Sequence, residues 1–326
     1  MKKSLYMISG KIKNIINFII SLLISAFLII YTIRNYNYNS FIIMLDNIQY
    51  YKIFFAMLVL VFSVYIRSLR WQILIKEDIP LNFLYESELV GYFGNNVLPL
   101  RGGEFLRTYL VSEKFHIPKS KIFGSIILER ILDMLGVSIF LFILMFINFN
   151  FLFKINISLM YSIIAIVVLG ILGTILSYVK NIPKLKIEKS KFIFNINGIF
   201  MGFSNLNKGN ILNIFITTFL IWSLYLLQLY LVQSSFNLNL TIEQMITLLV
   251  ISSVALSVPA LPGNFGTFEG AVIYSLSLFN IQDNFGFGLI LHAVSFIPYT
   301  LLGLMYFVKN FSWFKKINLK LLFNDE

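Results

Sequence analysis

The sequence contains no cysteine, only two histidines and few charged residues, and each shortage excludes a class of function. Without cysteine the chain has no disulfide and no thiolate metal site, and two histidines alone do not make a metal cluster. Charged residues make up 13% of the 326 positions, which is about half the share of an ordinary soluble domain. The sequence also lacks a Walker loop, a nucleophile elbow and a dinucleotide fingerprint. We therefore expect no metal ion and no cofactor.

Apolar residues in long runs are what the sequence has instead. Hydrophobic residues make up 58% of the chain and the mean hydropathy is +0.82. Several runs approach or exceed the ~20 residues that a spanning helix needs. This composition predicts an all-α polytopic membrane protein that forms one integral membrane domain over residues 1–326. About six spanning helices are expected, near residues 15–33, 53–66, 122–147, 159–178, 211–232 and 287–308.

Two further apolar segments are interrupted by residues that break a helix. The first, near residues 83–109, contains Leu98-Pro99-Leu100-Arg101-Gly102-Gly103-Glu104. The second, near residues 245–278, contains Leu261-Pro262-Gly263-Asn264-Phe265-Gly266, and the two Leu-Pro pairs lie 163 residues apart. Backbone groups freed by such breaks are tolerated at membrane depth only inside protein or facing water. The breaks therefore predict two re-entrant hairpins, and their matching places in two halves are typical of a transporter-type binding site.

The distribution of basic residues sets an orientation for this layout. Of the 26 lysines and arginines, 22 fall in pieces that we assign to the cytoplasm and three in outer loops. The first hairpin then enters from the cytoplasm and the second from outside. Residues 1–150 and 151–326 thus form two halves of inverted topology in the cytoplasmic (inner) membrane, with both termini cytoplasmic. Topology accounts for the net charge of +11, so we expect no nucleic acid as a partner.

Candidate ligand-binding residues occur first in the broken segment. Arg101 and Arg107 offer the bidentate donors that suit a phosphate. A half-helix that starts near Gly102 and Gly103 would add free N–H groups and the positive end of its dipole. Glu104 would pair with one of the arginines, meet a cationic headgroup or carry a proton. The alternative is that both arginines are neutralised at the cytoplasmic surface.

The third expected span carries charges inside its apolar run. Glu129 and Asp133 are four residues apart and share a helix face, and Arg130 can pair with Asp133. Charges at membrane depth face a protein interior or a wet cavity by default. These residues therefore either form a structural ion-pair cluster or act beside the first hairpin. The second span ends in Arg67, Arg70 and Trp71, which are interpreted as interfacial residues, with packing as the alternative for Trp71.

In the second half, Pro262, Gly263, Gly266 and Glu269 repeat the pattern of the first break without an arginine. Glu269 either caps the following half-helix or has a functional role in the cavity. His292 follows Leu261 by 31 residues, as Glu129 follows Leu98. It is either a hydrogen-bonded packing residue or a proton carrier.

Taken together, the motifs resemble the transmembrane family of lysylphosphatidylglycerol synthases, a flippase-like membrane domain. The residues that carry the resemblance are Arg70-Trp71, Gly94-Asn95-Asn96-Val97-Leu98-Pro99, Arg101-Gly102-Gly103-Glu104, Arg107, Glu129-Arg130 with Asp133, and Leu261-Pro262-Gly263 with Gly266 and Glu269. In its best-known members this domain resembles a flippase that moves aminoacylated phosphatidylglycerol to the outer leaflet, fused to a cytosolic synthase domain. About 18 residues follow the last expected span, so we expect a stand-alone member without the synthase domain.

The leading hypothesis is a transporter that moves an anionic or aminoacylated phospholipid, or a polyprenyl-phosphate-linked lipid, across the cytoplasmic membrane. Its expected partners are membrane lipids, with the headgroup as cargo, and the sequence leaves open whether the chain forms a homo-oligomer. The expected substrate-binding residues are Arg70, Asn96, Pro99, Arg101, Gly102, Gly103, Glu104, Arg107, Glu129, Arg130, Asp133, Pro262, Gly263, Gly266, Glu269 and His292.

Two alternatives come from other classes of protein. The first is a polytopic membrane transferase that acts on a lipid-linked donor. Such enzymes usually place their catalytic acids in an outer loop, and here the outer loops offer only Asp46, Glu243 and Asp283, without a paired motif. The second alternative is a non-catalytic membrane partner that recruits another enzyme.

Overall fold

The part of the chain that the structure describes folds into α-helices. The computed structural model describes residues 42, 45–98, 101–147, 208–257, 262–281 and 285–314, and these contain no β-strand. The predicted all-α polytopic architecture is confirmed. In chain order the helices are α1 Tyr50–Ile75, α2 Leu81–Val97, α3 Gly103–Phe115, α4 Lys119–Ile147, α5 Ile211–Ser235, α6 Ile242–Ser257, α7 Thr267–Ser277, α8 Phe285–Lys309 and α9 Phe311–Phe314.

Four of these helices, α1, α4, α5 and α8, are long and apolar enough to cross a membrane. They contain four of the expected spans and extend each of them. With 25 to 29 residues apiece, they reach roughly 38–44 Å, more than the ~30 Å hydrocarbon core of a bilayer. The spans expected near residues 15–33 and 159–178 lie outside the described residues.

The interrupted segments form two helical hairpins, α2 with α3 and α6 with α7. In the first hairpin the helices approach closely because Gly103 has no side chain. A Cβ at this position would overlap the carbonyl oxygen of Gly91. The Asn95 side chain accepts a hydrogen bond from the Gly103 N–H at 3.0 Å. In the second hairpin the chain turns through Gly263 and Gly266, whose φ angles of 69° and 82° favour glycine. The helix breakers therefore mark the two tips.

A long, short, short, long order of helices occurs twice, in α1–α4 and again in α5–α8. The packing partners correspond as well. Helix α1 lies along α5, while α8 packs on α2 as α4 packs on α6, and the second helix of each hairpin contacts the long helix that follows it. A pseudo-two-fold relation between two halves would produce such a correspondence, and the inverted repeat stays a prediction. The predicted division between residues 150 and 151 falls outside the described residues, and its membrane orientation stays a prediction.

The orientation is testable by thiol labelling, because a chain without cysteine gives no background. Exposed Asp78 precedes the first hairpin and exposed Ser277 ends the second. If the halves are inverted, a membrane-impermeant maleimide applied to intact cells labels Ser277→Cys, whereas Asp78→Cys reacts only after the membrane is opened. Labelling of both cysteines from the same side would contradict the inverted arrangement.

Candidate functional site

A buried network of charges lies where α1, α4 and the first hairpin meet, and Glu129 is at its centre. One Glu129 oxygen, Oε1, accepts a hydrogen bond from Arg67 Nη2 at 2.5 Å and lies 3.5 Å from Arg70 Nη2. The other, Oε2, accepts from Arg107 Nη2 at 2.9 Å. One turn further along α4, Asp133 contacts Arg67 at 3.0 Å and Arg70 at 2.6 Å. Two carboxylates on α4 thus hold two arginines on α1.

Local helix geometry explains why these groups meet. Arg67 and Arg70 are three residues apart on α1, and Glu129 and Asp133 are four apart on α4, so each pair occupies one helix face. Arg70 also donates to Thr218 of α5 at 3.2 Å. The network therefore reaches from the first half of the chain into the second.

Arg107 connects the first hairpin to this network. Its Nη1 lies 2.5 Å from Glu88 Oε2, and both side chains are buried. Its guanidinium lies over the Trp71 ring, 4.8 Å from the centroid, a cation–π contact. Glu88 and Glu129 are the carboxylates paired with Arg107, which does not line the cavity described below, and its predicted contact with a phosphate stays untested. Arg107 fastens α2 and α3 to α4.

Glu104 and Arg101 form the outer part of the network. Of the alternatives for Glu104, the structure contains the pair with Arg101, but the nearest cation is Arg130, whose Nε lies 2.9 Å from Glu104 Oε1. Arg130 also reaches Asp133, at 3.4 Å. Arg101 lies 3.9 Å from Glu104, and its side chain is 33% exposed. Of the five arginines in the network, Arg101 is therefore the most loosely held.

We call this network the ion cluster. It contains five arginines and four carboxylates, which leaves one positive charge in surplus: Arg67, Arg70, Arg101, Arg107, Arg130, Glu88, Glu104, Glu129 and Asp133.

The second hairpin has a smaller polar contact with the helix that follows it. Glu269 Oε2 accepts a hydrogen bond from the Gly266 N–H at 2.7 Å and so caps the start of α7. Glu269 Oε1 lies 2.6 Å from His292 Nδ1 on α8. The rings of Phe265 and Phe268 pack against the imidazole, with centroids 4.8 and 5.0 Å away. Glu269 therefore has both the capping role and a partner that faces the cavity.

A cavity of about 430 Å³ lies between the two hairpin tips. Residues of the first half give it a charged wall that includes Arg67, Arg101, Glu104, Arg130 and Asp133. The described lining residues of the second half include no lysine, arginine, aspartate or glutamate, and their polar side chains are mainly those of serine, asparagine, glutamine and histidine. Apolar side chains such as those of Leu60, Val137, Leu249 and Phe268 complete the lining. The cavity is thus amphipathic.

The structure brings many of the predicted site residues together at this cavity. Those that line it are Asn96, Arg101, Glu104, Arg130, Asp133, Gly263 and His292. Those that lie behind its wall, within the supporting contacts, are Arg70, Arg107, Glu129 and Glu269. The residues that shape the tips are Gly102, Gly103, Pro262 and Gly266. Pro99 lies outside the described residues.

The interfacial interpretation of the end of the second span was wrong. Helix α1 continues to Ile75, so Arg67, Arg70 and Trp71 lie inside the bundle and are fully or almost fully buried. Trp71 donates to Ser125 Oγ at 3.0 Å instead of reaching a headgroup. The count of 22 basic residues assigned to the cytoplasm included these two arginines as well as Arg101 and Arg107. Without these four arginines, 18 basic residues remain, against three assigned to the outer loops. The asymmetry therefore survives the correction.

Sequence reasoning missed two members of the ion cluster, Arg67 and Glu88. The available signal for Arg67 was its three-residue spacing from Arg70, which puts both on the helix face that Glu129 and Asp133 require. Glu88 lies within an apolar run, and such a carboxylate calls for a buried cation. Its partner Arg107 lies on the other arm of the hairpin.

The fold and this site define a polytopic α-helical membrane protein built on two broken-helix hairpins and an internal ion cluster. The model of the family described as "Lysylphosphatidylglycerol synthase TM region" matches residues 18–303. The chain belongs to this family.

Curated relatives carry only general names. The chain is 27% identical to the UPF0104 membrane protein MJ1595 of Methanocaldococcus jannaschii, over 86% of this chain and 92% of that protein. It is 28% identical to the UPF0104 membrane protein MJ1078 of the same organism, over 66% of this chain and 93% of that protein. A UPF0104 membrane protein of Methanothermobacter thermautotrophicus is 24% identical, over 67% and 72% respectively. No solved structure matches the chain.

The central position of Glu129 predicts a large effect on stability. Because Glu129→Gln removes the charge that three buried arginines share, we expect a loss of about 3–5 kcal/mol in the free energy of unfolding. The matched control is Glu113→Gln, which breaks a partly exposed pair with Lys119 at 3.2 Å and should cost less than about 1 kcal/mol. Unfolding of the purified protein in detergent measures both, and equal losses would contradict the central role of Glu129.

The Glu269 cap predicts a graded effect of two substitutions. Glu269→Gln keeps an oxygen that accepts from the Gly266 N–H, whereas Glu269→Ala removes it. We expect the alanine variant to be less stable than the glutamine variant by about 1 kcal/mol, the usual value of a helix cap. Thermal unfolding in detergent compares them, and identical midpoints would show that the cap contributes nothing.

Proposed function

We propose that this protein translocates a lipid with an anionic headgroup across the cytoplasmic membrane. The headgroup would pass through the cavity between the hairpin tips while the tails stay in the bilayer. The observation that carries the proposal is the amphipathic lining of that cavity, which offers charged groups, uncharged polar groups and apolar surface. A lipid that crosses headgroup-first needs all three. The cavity lies within a bundle that contains four helices long and apolar enough to cross a membrane.

The ion cluster supports an anionic cargo. Eight of its members are held in close mutual pairs, and the remaining surplus charge belongs to Arg101 at the first tip. A guanidinium suits a phosphate because it donates two parallel hydrogen bonds. Arg101 also lines the cavity and is only loosely held by Glu104. It is therefore the side chain that we assign to the phosphate.

The repeated helix order supports a moving carrier. In inverted-repeat transporters the binding site lies between the repeats, and rocking of one repeat against the other opens it to alternate sides. Here the two tips face one cavity, and polar and aromatic side chains join the first hairpin to α8 beside it. Asn96 donates to Thr300 Oγ1 at 2.9 Å, and the Tyr92 and Tyr299 rings stack at 4.2 Å. Such contacts are exchangeable, unlike the ion cluster.

A vesicle assay tests the proposal. Purified protein is reconstituted with fluorescent phosphatidylglycerol, and a membrane-impermeant reductant reports how fast label reaches the outer leaflet. We expect wild type to exceed protein-free vesicles and Arg101→Gln to be slower by about tenfold or more, because a charge-assisted hydrogen bond is lost.

Lys76→Gln is the matched control for this assay. Lys76 has a left-handed backbone like that of Arg101, with φ angles of 49° and 57°, but it is exposed and lies outside the cavity. We expect it to move lipid as wild type does. Equal rates for wild type and Arg101→Gln would remove the proposed site, as would equal rates for wild type and an Arg101→Ala, Glu104→Ala double variant.

Mass spectrometry of the recovered lipid separates transport from the transferase alternative, because a transferase leaves a covalently changed product.

A further inference from the structure

The two walls of the cavity differ in charge, and this difference identifies the class of headgroup. We infer that the cargo carries a phosphodiester joined to a neutral, hydroxyl-rich group such as glycerol or a sugar, and that headgroups with an ammonium group are disfavoured. The inference rests on the proposed function and narrows its substrate. It departs from the aminoacylated lipid that the family resemblance suggests.

The first step concerns the carboxylates that an ammonium group would need. Among the described lining residues, the acidic ones are Glu104 and Asp133. Arg130 already lies 2.9 Å from Glu104, and Arg70 and Arg67 lie 2.6 and 3.0 Å from Asp133. Neither carboxylate is left to neutralise a second cation. A headgroup with net positive charge would therefore meet the surplus positive charge of the ion cluster.

The second step concerns the wall formed by the second half. Its described lining residues include no lysine, arginine, aspartate or glutamate. Glu269 is not part of the lining: its two oxygens contact the Gly266 N–H and His292, and His292 is the member of this pair that lines the cavity. Neutral side chains can accept hydrogen bonds from an ammonium group, but they cannot compensate its charge. Burying such a charge without an opposite charge is costly.

The third step concerns the serines on this wall, which are placed to accept hydrogen bonds. Ser253 donates to the Leu249 carbonyl at 2.6 Å, Ser257 to that of Ser253 at 2.9 Å and Ser295 to that of His292 at 2.9 Å. Ser252 similarly donates to Leu248. Each hydroxyl proton is thus used within its own helix, and the oxygen lone pairs stay available to the cavity. Hydroxyl groups of a polyol supply the matching donors at no cost in charge.

The fourth step concerns size and placement. A cavity of about 430 Å³ falls within the ~300–1,000 Å³ of typical small-molecule sites. Arg101 at the first tip and Asn264 at the second both line it, one from each half of the chain. A phosphate at Arg101 would therefore share the cavity with the hydrogen-bonding side chains of the second half. The charge of Arg101 thus recognises the phosphate, and hydrogen bonds recognise the group attached to it.

Binding of lipids with identical acyl chains to the full-length protein in detergent tests this inference. The set is phosphatidylglycerol, phosphatidylmethanol (the same charge without hydroxyls), phosphatidylethanolamine and lysylphosphatidylglycerol, with affinities measured by native mass spectrometry. We expect phosphatidylglycerol to bind at least about tenfold more tightly than the two ammonium lipids, because like charges repel and an ammonium group lacks a partner. The affinity for phosphatidylmethanol should lie between that for phosphatidylglycerol and those for the two ammonium lipids. A polyprenyl-phosphate hexose carries the same headgroup chemistry on another tail, so its rank against phosphatidylglycerol identifies the source of the cargo.

Two variants sharpen the test. Arg101→Glu turns the surplus of one positive charge into a surplus of one negative charge, so the preference should shift towards lysylphosphatidylglycerol, while Lys76→Glu outside the cavity leaves it unchanged. Ser257→Ala with Ser295→Ala should weaken phosphatidylglycerol towards phosphatidylmethanol and leave phosphatidylmethanol itself unchanged. If Arg101→Glu does not fold, the ranking by wild type decides alone.

Lysylphosphatidylglycerol that binds wild type as tightly as phosphatidylglycerol would overturn the inference. Equal binding of phosphatidylmethanol and phosphatidylglycerol would overturn it as well. Either result leaves transport in vesicles intact as a separate observation. Conversely, the expected ranking together with an absence of transport would support this headgroup preference and refute the proposed function.

Discussion

The carboxylate of Glu129, shared by arginines from α1 and the first hairpin, is the contact on which the rest of the structure depends. In a bundle surrounded by lipid, no water replaces a lost counter-charge, so the helices cannot separate without leaving guanidinium groups unpaired. These ion pairs stabilise the first hairpin, which its local sequence alone would not stabilise in a membrane. Its tip is broken and polar, and lipid cannot satisfy the backbone groups that the break frees. The ion cluster thus fixes the first wall of the cavity.

The two halves have a side-chain contact at the same place between corresponding helices, but the residues that form it differ. In each half, one side chain of the second hairpin helix meets one side chain of the following long helix, Arg107 with Glu129 in the first half and Glu269 with His292 in the second. Glu129 and His292 stand at matching distances from their Leu-Pro breaks. The first contact is part of a large charged network, whereas the second is an isolated pair among phenylalanine rings. This asymmetry makes one wall of the cavity charged and the other neutral.

The spans and hairpins were predictable because their signals are local. Apolar run length marks α4, α5 and α8, and proline with glycine marks the two tips. The partners in the ion cluster were not predictable in the same way, because spacing along the chain shows which residues share a face and not which helix that face meets. Arg67 and Arg70 resembled residues at a membrane surface, yet α1 continues two turns beyond Arg67 to Ile75. The pairing of Arg107 with Glu88 likewise depends on the close approach of Gly91 and Gly103 across the hairpin.

The near balance of charge in the ion cluster also bears on how a carrier releases its cargo. If several arginines faced the cavity unpaired, a phosphate would bind them tightly and leave slowly, which suits storage better than transport. Here the carboxylates neutralise all but one, and the remaining cation is exposed enough to keep contact with water. In the proposed transport, Arg101 would exchange its 3.9 Å contact with Glu104 for a phosphate and back again, which would move a single side chain at the hairpin tip. The paired arginines would contribute a polarised wall rather than affinity, so binding at Arg101 would stay reversible.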